Sequence, residues 1–126
     1  MGLDQSVYAV RLFKEFPDFV PSGETLFPDE TDYWSKCWSL QHWMKNLYRE
    51  KGGTEKDFNG VYLRLTMQDL ERLNRDSSTY EFYEHHSTSR TPEDEKHFEY
   101  EHLKEFIRDA KENINRGYAI YYYSSW

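Results

Sequence analysis

Histidine and cysteine are the residue types most able to hold a metal, and in this chain their spacing is unfavourable. The sequence contains five histidines and a single cysteine. His97 and His102 are five positions apart, as are Cys37 and His42. On a helix this spacing turns the two side chains to different sides, whereas a helical zinc pair uses positions i and i+4. The sequence therefore predicts no metal site, and one cysteine excludes an internal disulfide.

Covalent and phosphate-binding chemistry is also disfavoured. Cys37 is the only thiol, and it falls on the apolar face of a predicted helix, where burial makes a thiol unreactive. Gly52 and Gly53 lack the Lys-Ser/Thr that follows the glycines of a phosphate-binding loop, so we expect them to end a helix. Carboxylates are abundant, but no pair is distinguished by its surroundings. We therefore expect no cofactor and assign no catalytic residue.

Aromatic side chains are the most unusual feature of the composition. The chain has 11 tyrosines, 4 tryptophans and 8 phenylalanines, and aromatic residues make up 18% of it. Each buried ring removes roughly 150–250 Å² from water, so rings can form the core of a chain that is poor in aliphatic residues. Tyrosine and tryptophan are also favoured at binding sites. We expect some of these rings to line a ligand pocket, a partner surface or a homodimer interface.

Length and charge limit the class of protein. A chain of 126 residues fits a single domain, which we place at residues 1–126. Sixteen basic and 23 acidic residues give a net charge of −7, and binding to nucleic acid over a broad surface needs a basic stripe instead. No apolar run approaches the roughly 18 residues of a membrane span, and charges at Asp4, Arg11 and Lys14 interrupt any signal peptide. We expect no membrane contact and a cytosolic location.

Hydrophobic periodicity predicts an α+β fold. A small, mostly antiparallel sheet would pack against a Trp-rich helix and a long C-terminal helix. Residues 14–32 contain three prolines and a glycine, which predicts a long loop and a candidate lid. The predicted strands cover residues 6–13, 60–66, 80–83 and 118–123, and the predicted helices cover residues 33–50, 67–76 and 91–116.

The helices carry recognisable start and stop signals. Thr31 or Asp32 would cap the Trp-rich helix, whose apolar face includes Trp34 and Trp38. Thr66, followed three residues later by an aspartate, is typical of a capping box. In the C-terminal helix, Thr91-Pro92 is a strong start and Gly117 a suitable stop.

Three sequence blocks together resemble a family of small phage and prophage proteins. They are Met-Gly-Leu-Asp at residues 1–4, Tyr-Trp-x-Lys at residues 33–36 with a later tryptophan, and Tyr-x-Ser-Ser-Trp at residues 122–126. Members of that family typically begin MGLDMYL, carry YWRKANAIHKWF and close with SSW or ASW. Where the family has Asn and His, this chain has Trp38 and Gln41, so the family's polar pair is missing. The resemblance implies an accessory protein of bacterial viruses.

The family blocks at the two chain ends flank predicted strands, and pairing of these strands would bring the ends together near the Trp-rich helix. In one interpretation Trp126 fills the core and Asp4 caps backbone donors. In the other, the ends contribute to a binding pocket. Its residues would be Asp4, Tyr33, Trp34, Lys36 and Trp126.

The resemblance and the aromatic content together favour a binding protein that acts on a host component in the host cytoplasm, as an anti-defence or metabolic factor. It would mask a host protein, or hold a small nucleotide-like molecule between aromatic rings. Phosphates would then meet basic residues, for which the candidates are Lys36, Arg49, Arg64 and Arg90. One alternative is a small hydrolase or nucleotide-modifying enzyme that uses Asp4, Lys36 and His42. The other is a structural protein of the virion.

Overall fold

The computed structural model describes residues 3–10, 18–21, 30–35, 37–54, 56–79, 81–82 and 92–126. These residues form five strands and three helices. The strands are β1 (Asp4–Val10), β2 (Phe19–Pro21), β3 (Glu30–Ser35), β4 (Val61–Leu65) and β5 (Ala119–Ser125). The helices are α1 (Trp38–Glu50), α2 (Met67–Asp76) and α3 (Pro92–Asn115).

One antiparallel sheet contains all five strands in the order β2-β4-β5-β1-β3. The first and last strands of the chain are neighbours inside it, with Asp4 opposite Ser125 and Val10 opposite Ala119. On its other side β1 pairs with β3, which places Asp4 opposite Ser35. The predicted α+β class, with an antiparallel sheet against helices, is confirmed.

The two faces of the sheet differ because side chains alternate along each strand. On one face, Val7, Leu63 and Tyr122 join buried side chains of all three helices in a single hydrophobic cluster. We call this the helix face. The opposite face carries a cluster of four tyrosines, among them Tyr62 and Tyr121, which are buried. We call this the tyrosine face, and the clustered tyrosines are Tyr8, Tyr62, Tyr121 and Tyr123.

Helix α1 is shorter than predicted. It begins at Trp38 and not at residue 33, because residues 33–35 continue β3 and pair with β1. Tyr-Trp is a good strand former, and pairing with a distant strand overrides the helical spacing of the apolar residues. The predicted caps, Thr31 and Asp32, therefore lie in a strand, and the N-cap position is occupied by Cys37. The predicted stop is confirmed, since Gly52 has a φ of +95° just after the helix.

The predicted loop over residues 14–32 is wrong in two places. Phe19–Pro21 forms the short edge strand β2, and Glu30–Ser35 forms β3. The remainder of that loop, and with it the suggested lid, lies outside the described residues. The strand predicted over residues 80–83 is also wrong where it is described, because residues 81–82 form a short 3₁₀ turn.

The start and stop signals in the sequence predicted the positions of the other two helices well. Thr66 Oγ1 accepts the backbone N–H of Asp69 at 3.2 Å, and the Asp69 carboxylate accepts the N–H of Thr66 at 2.9 Å, which confirms the capping box. The same carboxylate binds Lys51 Nζ at 2.6 Å. Helix α3 covers residues 92–115, close to its predicted range, and Gly117 follows it with a φ of +93°. None of the described helices is long and apolar enough to cross a membrane.

Candidate functional site

Two of the five residues of the predicted binding pocket come together on the tyrosine face. The Tyr33 hydroxyl donates a hydrogen bond to the Asp4 carboxylate at 2.6 Å, between neighbouring strands β3 and β1. This hydrogen bond raises the pKa of Tyr33, because the phenol proton is held by the carboxylate. Tyr33 remains about half exposed. The pair is a surface contact between two strands.

The other predicted residues lie elsewhere. Trp34 follows Tyr33 in β3 and points to the helix face, where it is 3% exposed and stacks on His102 with ring centroids 4.6 Å apart. Lys36 lies outside the described residues. Trp126, at the end of β5, is 40% exposed and does not fill the core. The four predicted residues that the structure describes therefore do not form one pocket.

Trp126 is held in a fixed position although it is half-exposed. Its indole N–H donates to the carbonyl oxygen of Phe58 at 3.0 Å. Its main chain forms two hydrogen bonds with the side chain of Asn59, at 2.9 Å and 3.1 Å. These three bonds attach the end of β5 to the loop before β4.

Trp126 forms one wall of a cavity of about 260 Å³ beside the first turns of α1. We call it the tryptophan cavity. Helix α1 contributes several of its side chains from positions three or four apart, which lie along one side of a helix. The lining residues are Trp38, Gln41, His42, Lys45, Phe58 and Trp126.

The floor of the tryptophan cavity consists of the buried residues Gln41 and Phe58, which a chain of hydrogen bonds holds in place. Gln41 donates to the carbonyl oxygen of Phe58 at 3.0 Å and accepts the Tyr122 hydroxyl at 2.6 Å. Gln5 donates to the same hydroxyl at 2.9 Å and forms hydrogen bonds with both main-chain groups of Cys37, at 2.8 Å and 2.9 Å. The chain therefore links β1, β5 and the start of α1, and it fixes the position of Gln41.

The floor is electrically neutral. Burial raises the pKa of Tyr122 well above 10.0, so its hydroxyl stays protonated at physiological pH. This hydroxyl donates a hydrogen bond to Gln41. Stacked rings support the floor from the side, with Phe58 between Tyr48 at 5.0 Å and Tyr122 at 6.1 Å. A neutral, rigid floor suits an uncharged flat group.

Basic side chains lie at the mouth of the cavity. Lys45 is exposed and has no ion pair or hydrogen bond with any residue in the described ranges. His42 is exposed beside it, and its ring contacts the Asn46 carboxamide at 3.2 Å. A bound molecule with a flat ring inside the cavity would therefore place an anionic substituent next to Lys45 and His42.

The basic residues expected to meet phosphates are not at this cavity. The guanidinium of Arg49 binds the carbonyl oxygens of Lys56 and Gly53, and Arg64 lies in β4 opposite Tyr121, on the tyrosine face. Arg90 lies outside the described residues. The described ones among these positions therefore lie away from the cavity, whereas Lys45 lines it.

Of the three residues proposed for an enzymatic reaction, Lys36 lies outside the described residues, and the other two are not brought together. Asp4 lies on the tyrosine face, whereas His42 belongs to α1 on the helix face, so the sheet separates them. Cys37 is fully buried, as its place in the sequence indicated. In the part of the chain that the structure describes, no three or more His, Cys, Asp or Glu side chains are grouped as metal ligands.

Comparisons of the chain with protein-family models, with curated proteins and with solved structures give no match. Sequence patterns found Trp126 but missed most of its neighbours in the cavity. Trp38 and Lys45 had a detectable signal, because they lie on one side of a predicted helix. Phe58 and Asn59 had none, since they belong to a short loop without periodicity.

Proposed function

We propose that this protein binds a small molecule with a flat aromatic ring and an anionic group, of the nucleotide-like kind, in the tryptophan cavity. The observation that carries the proposal is the arrangement of Trp38, Phe58 and Trp126 around one cavity with Lys45 at its mouth. Aromatic side chains stack on nucleobases with about 1–3 kcal/mol per base, and they do so with little dependence on the base. The cation supplies the attraction for a phosphate.

The biological setting belongs to the same proposal. The resemblance to small phage and prophage proteins favours a role in the host cytoplasm, where the ligand is a host molecule withdrawn by binding. Such withdrawal acts through stoichiometry and needs no catalytic group. A protein that removes a host signal in this way would counter a host defence.

Titration with mononucleotides tests the proposal. Two of the four tryptophans line the cavity, so we expect adenosine 5′-monophosphate to quench tryptophan fluorescence and to release heat in calorimetry. We expect Trp126→Ala to weaken binding by roughly 5- to 150-fold, which corresponds to the loss of one stacking contact. Tyr33→Ala removes an exposed ring from the tyrosine face and serves as the matched control, with unchanged binding.

The contribution of charge is tested separately. Lys45→Ala is expected to weaken binding of adenosine 5′-monophosphate by about tenfold, and to leave binding of adenosine unchanged. Lys111→Ala removes the same charge from α3 and is the control for net charge. If the wild-type protein shows neither quenching nor heat with nucleotides at millimolar concentration, the proposed function is wrong. Capture of a host protein by the same surface would then favour the masking of a protein partner.

A further inference from the structure

A second cavity, of about 210 Å³, lies on the other side of His42. Four of its lining residues come from α1, and the others come from the end of α2 and the residues after it. We call it the second cavity, and its lining residues are Ser39, His42, Trp43, Asn46, Asp76, Thr79, Glu81 and Phe82. Among the residues that the structure describes, His42 alone lines both cavities. The two spaces are therefore neighbours along α1, with the imidazole ring between them.

The second cavity contains a buried polar group that lacks a partner. Ser39 is 1% exposed, and its hydroxyl has no hydrogen-bond partner among the residues that the structure describes. Buried polar groups are nearly always paired in folded proteins. A bound molecule with a hydrogen-bonding group at this position would supply the missing partner.

The charges of the second cavity differ from those of the tryptophan cavity. Asp76 accepts the indole N–H of Trp43 at 2.9 Å and forms ion pairs with Arg72 and Arg75, each at 3.8 Å. Glu81 adds an exposed carboxylate that has no ion pair within the described ranges. The carboxamide of Asn46 lies next to the ring of His42. The Glu81 carboxylate repels a second phosphate and accepts hydrogen bonds from hydroxyl and amino groups. This end of the site therefore favours a neutral group with hydrogen-bond donors.

Volume indicates that the two cavities act together. Sites for small molecules usually enclose about 300–1,000 Å³. Neither cavity reaches that range alone, at about 260 Å³ and 210 Å³. If the two cavities are joined across His42, their combined volume falls within this range.

We infer that the two cavities are the two ends of one ligand site. Its ligand has a flat aromatic ring at one end, an anionic linker in the middle and a neutral group with hydrogen-bond donors at the other end. The ring occupies the tryptophan cavity, the linker lies against His42 and Lys45, and the donor group contacts Ser39 and Asn46. A nucleotide joined through its phosphate to a second nucleoside has this composition. The inference rests on the proposed function and specifies the ligand class for the same site.

Calorimetry with two probes tests the inference. The probes are adenosine 5′-monophosphate, which fills one end, and the dinucleoside monophosphate ApA, which has one phosphate and a nucleoside at each end. We expect ApA to bind at least about tenfold more tightly than the mononucleotide, because it adds hydrogen bonds in the second cavity. In the Asn46→Ala variant, whose changed residue is exposed, we expect the affinity for ApA to fall more than the affinity for the mononucleotide, so that the advantage of ApA shrinks or disappears.

Ser39→Ala provides a second variant that is expected to fold. Because the serine hydroxyl lacks a partner among the described residues, its removal should leave Tm unchanged or raise it, while the affinity for ApA falls several-fold. Equal affinities for the two probes, or an equal loss for both in Asn46→Ala, would overturn the inference. If Trp126→Ala still weakened both probes, the proposed function would stand. Absence of binding by both probes would end both proposals.

Discussion

Replacement of Tyr122 by phenylalanine tests whether the buried hydrogen-bond chain supports the tryptophan cavity. The change keeps the ring, which stacks on Phe58, and removes only the hydroxyl oxygen. That oxygen accepts one N–H of Gln5 at 2.9 Å and donates its proton to Gln41 at 2.6 Å. The variant therefore leaves one buried donor and one buried acceptor without their partners.

The expected loss of stability follows from these two groups. A buried polar group left without a partner costs about 1–3 kcal/mol. The loss is partly limited, because Gln5 still bonds to the main chain of Cys37 and Gln41 still bonds to Phe58. We expect the free energy of unfolding to fall by about 2–4 kcal/mol. For a chain of this length, that corresponds to a decrease in Tm of roughly 8–15 °C.

Urea unfolding followed by circular dichroism and tryptophan fluorescence measures the effect. Tyr123→Phe is the matched control, because this residue lies in the same strand on the tyrosine face and its hydroxyl has no hydrogen bond with the described residues. We expect the control to change stability by less than about 0.5 kcal/mol. A loss below about 1 kcal/mol for Tyr122→Phe, or losses of similar size in both variants, would show that the hydrogen-bond chain contributes little.

Three further predictions concern stability. Gly53→Ala is expected to destabilise the protein by about 2–3 kcal/mol, because the new Cβ would lie 2.3 Å from ring atoms of buried Tyr48. Gly52→Ala has open space around the new Cβ but a φ of +95°, so it should cost only about 1 kcal/mol. Equal urea midpoints for the two variants would contradict this prediction. Burial raises the pKa of Asp69, but hydrogen bonds from a lysine ammonium and the helix cap outweigh it and lower the pKa below 3.8. The stability that Asp69 contributes should therefore be present above pH 3.8 and be lost as pH falls through the lower pKa of the folded state. We expect Asp69→Asn to lose less stability than the wild type on acidification, and an equal loss in both proteins would disprove this. Burial raises the pKa of Tyr121 from 10.0 to about 12, so stability should fall as pH rises from 10 to 12, and a Tyr121→Phe variant should lose less over that range in urea titrations.

Local signals explain which parts of the fold were predictable. The range of α3 follows from a proline at its start and a glycine after its end, and α2 follows from the capping box of Thr66 and Asp69. The alternation of residues 61–65 gives the two faces of β4 correctly. Each of these signals acts between residues that are close in sequence, so each can be found without knowledge of the tertiary structure.

Long-range pairing explains the main error. The spacing of Trp34, Cys37, Trp38 and Gln41 fits a helix, and the sequence alone gives no reason for the helix to begin only at Trp38. Residues 30–35 become a strand because they pair with β1, which lies more than twenty positions earlier in the chain. Strand β2 has three residues and is defined only by its pairing with β4. Neither contact has a local signature.

The candidate site was predictable only in part, for a related reason. Strand pairing does bring the two chain ends together, with Asp4 opposite Ser125. Side chains alternate between the faces of a sheet, however, so Asp4 and Trp126 belong to opposite sides. Tyr33 and Trp34, as neighbours in β3, are separated in the same way. The predicted pocket combined residues that one sheet holds on two different faces.

The alternation of side chains along β5 also explains why Trp126 lines the tryptophan cavity. In β5, Tyr122 and Ser124 point to the helix face and are buried, and Trp126 continues the same series one step beyond the strand. Tyr122 thus supports the floor through its hydrogen bond to Gln41, and Trp126 forms a wall of the same cavity. Gln5 of β1 donates a hydrogen bond to Tyr122, so the pairing of the first and last strands helps to hold the Tyr122 side chain under the cavity. A change that loosens this pairing should therefore weaken ligand binding and stability together, whereas loss of the Trp126 ring should weaken binding far more than stability.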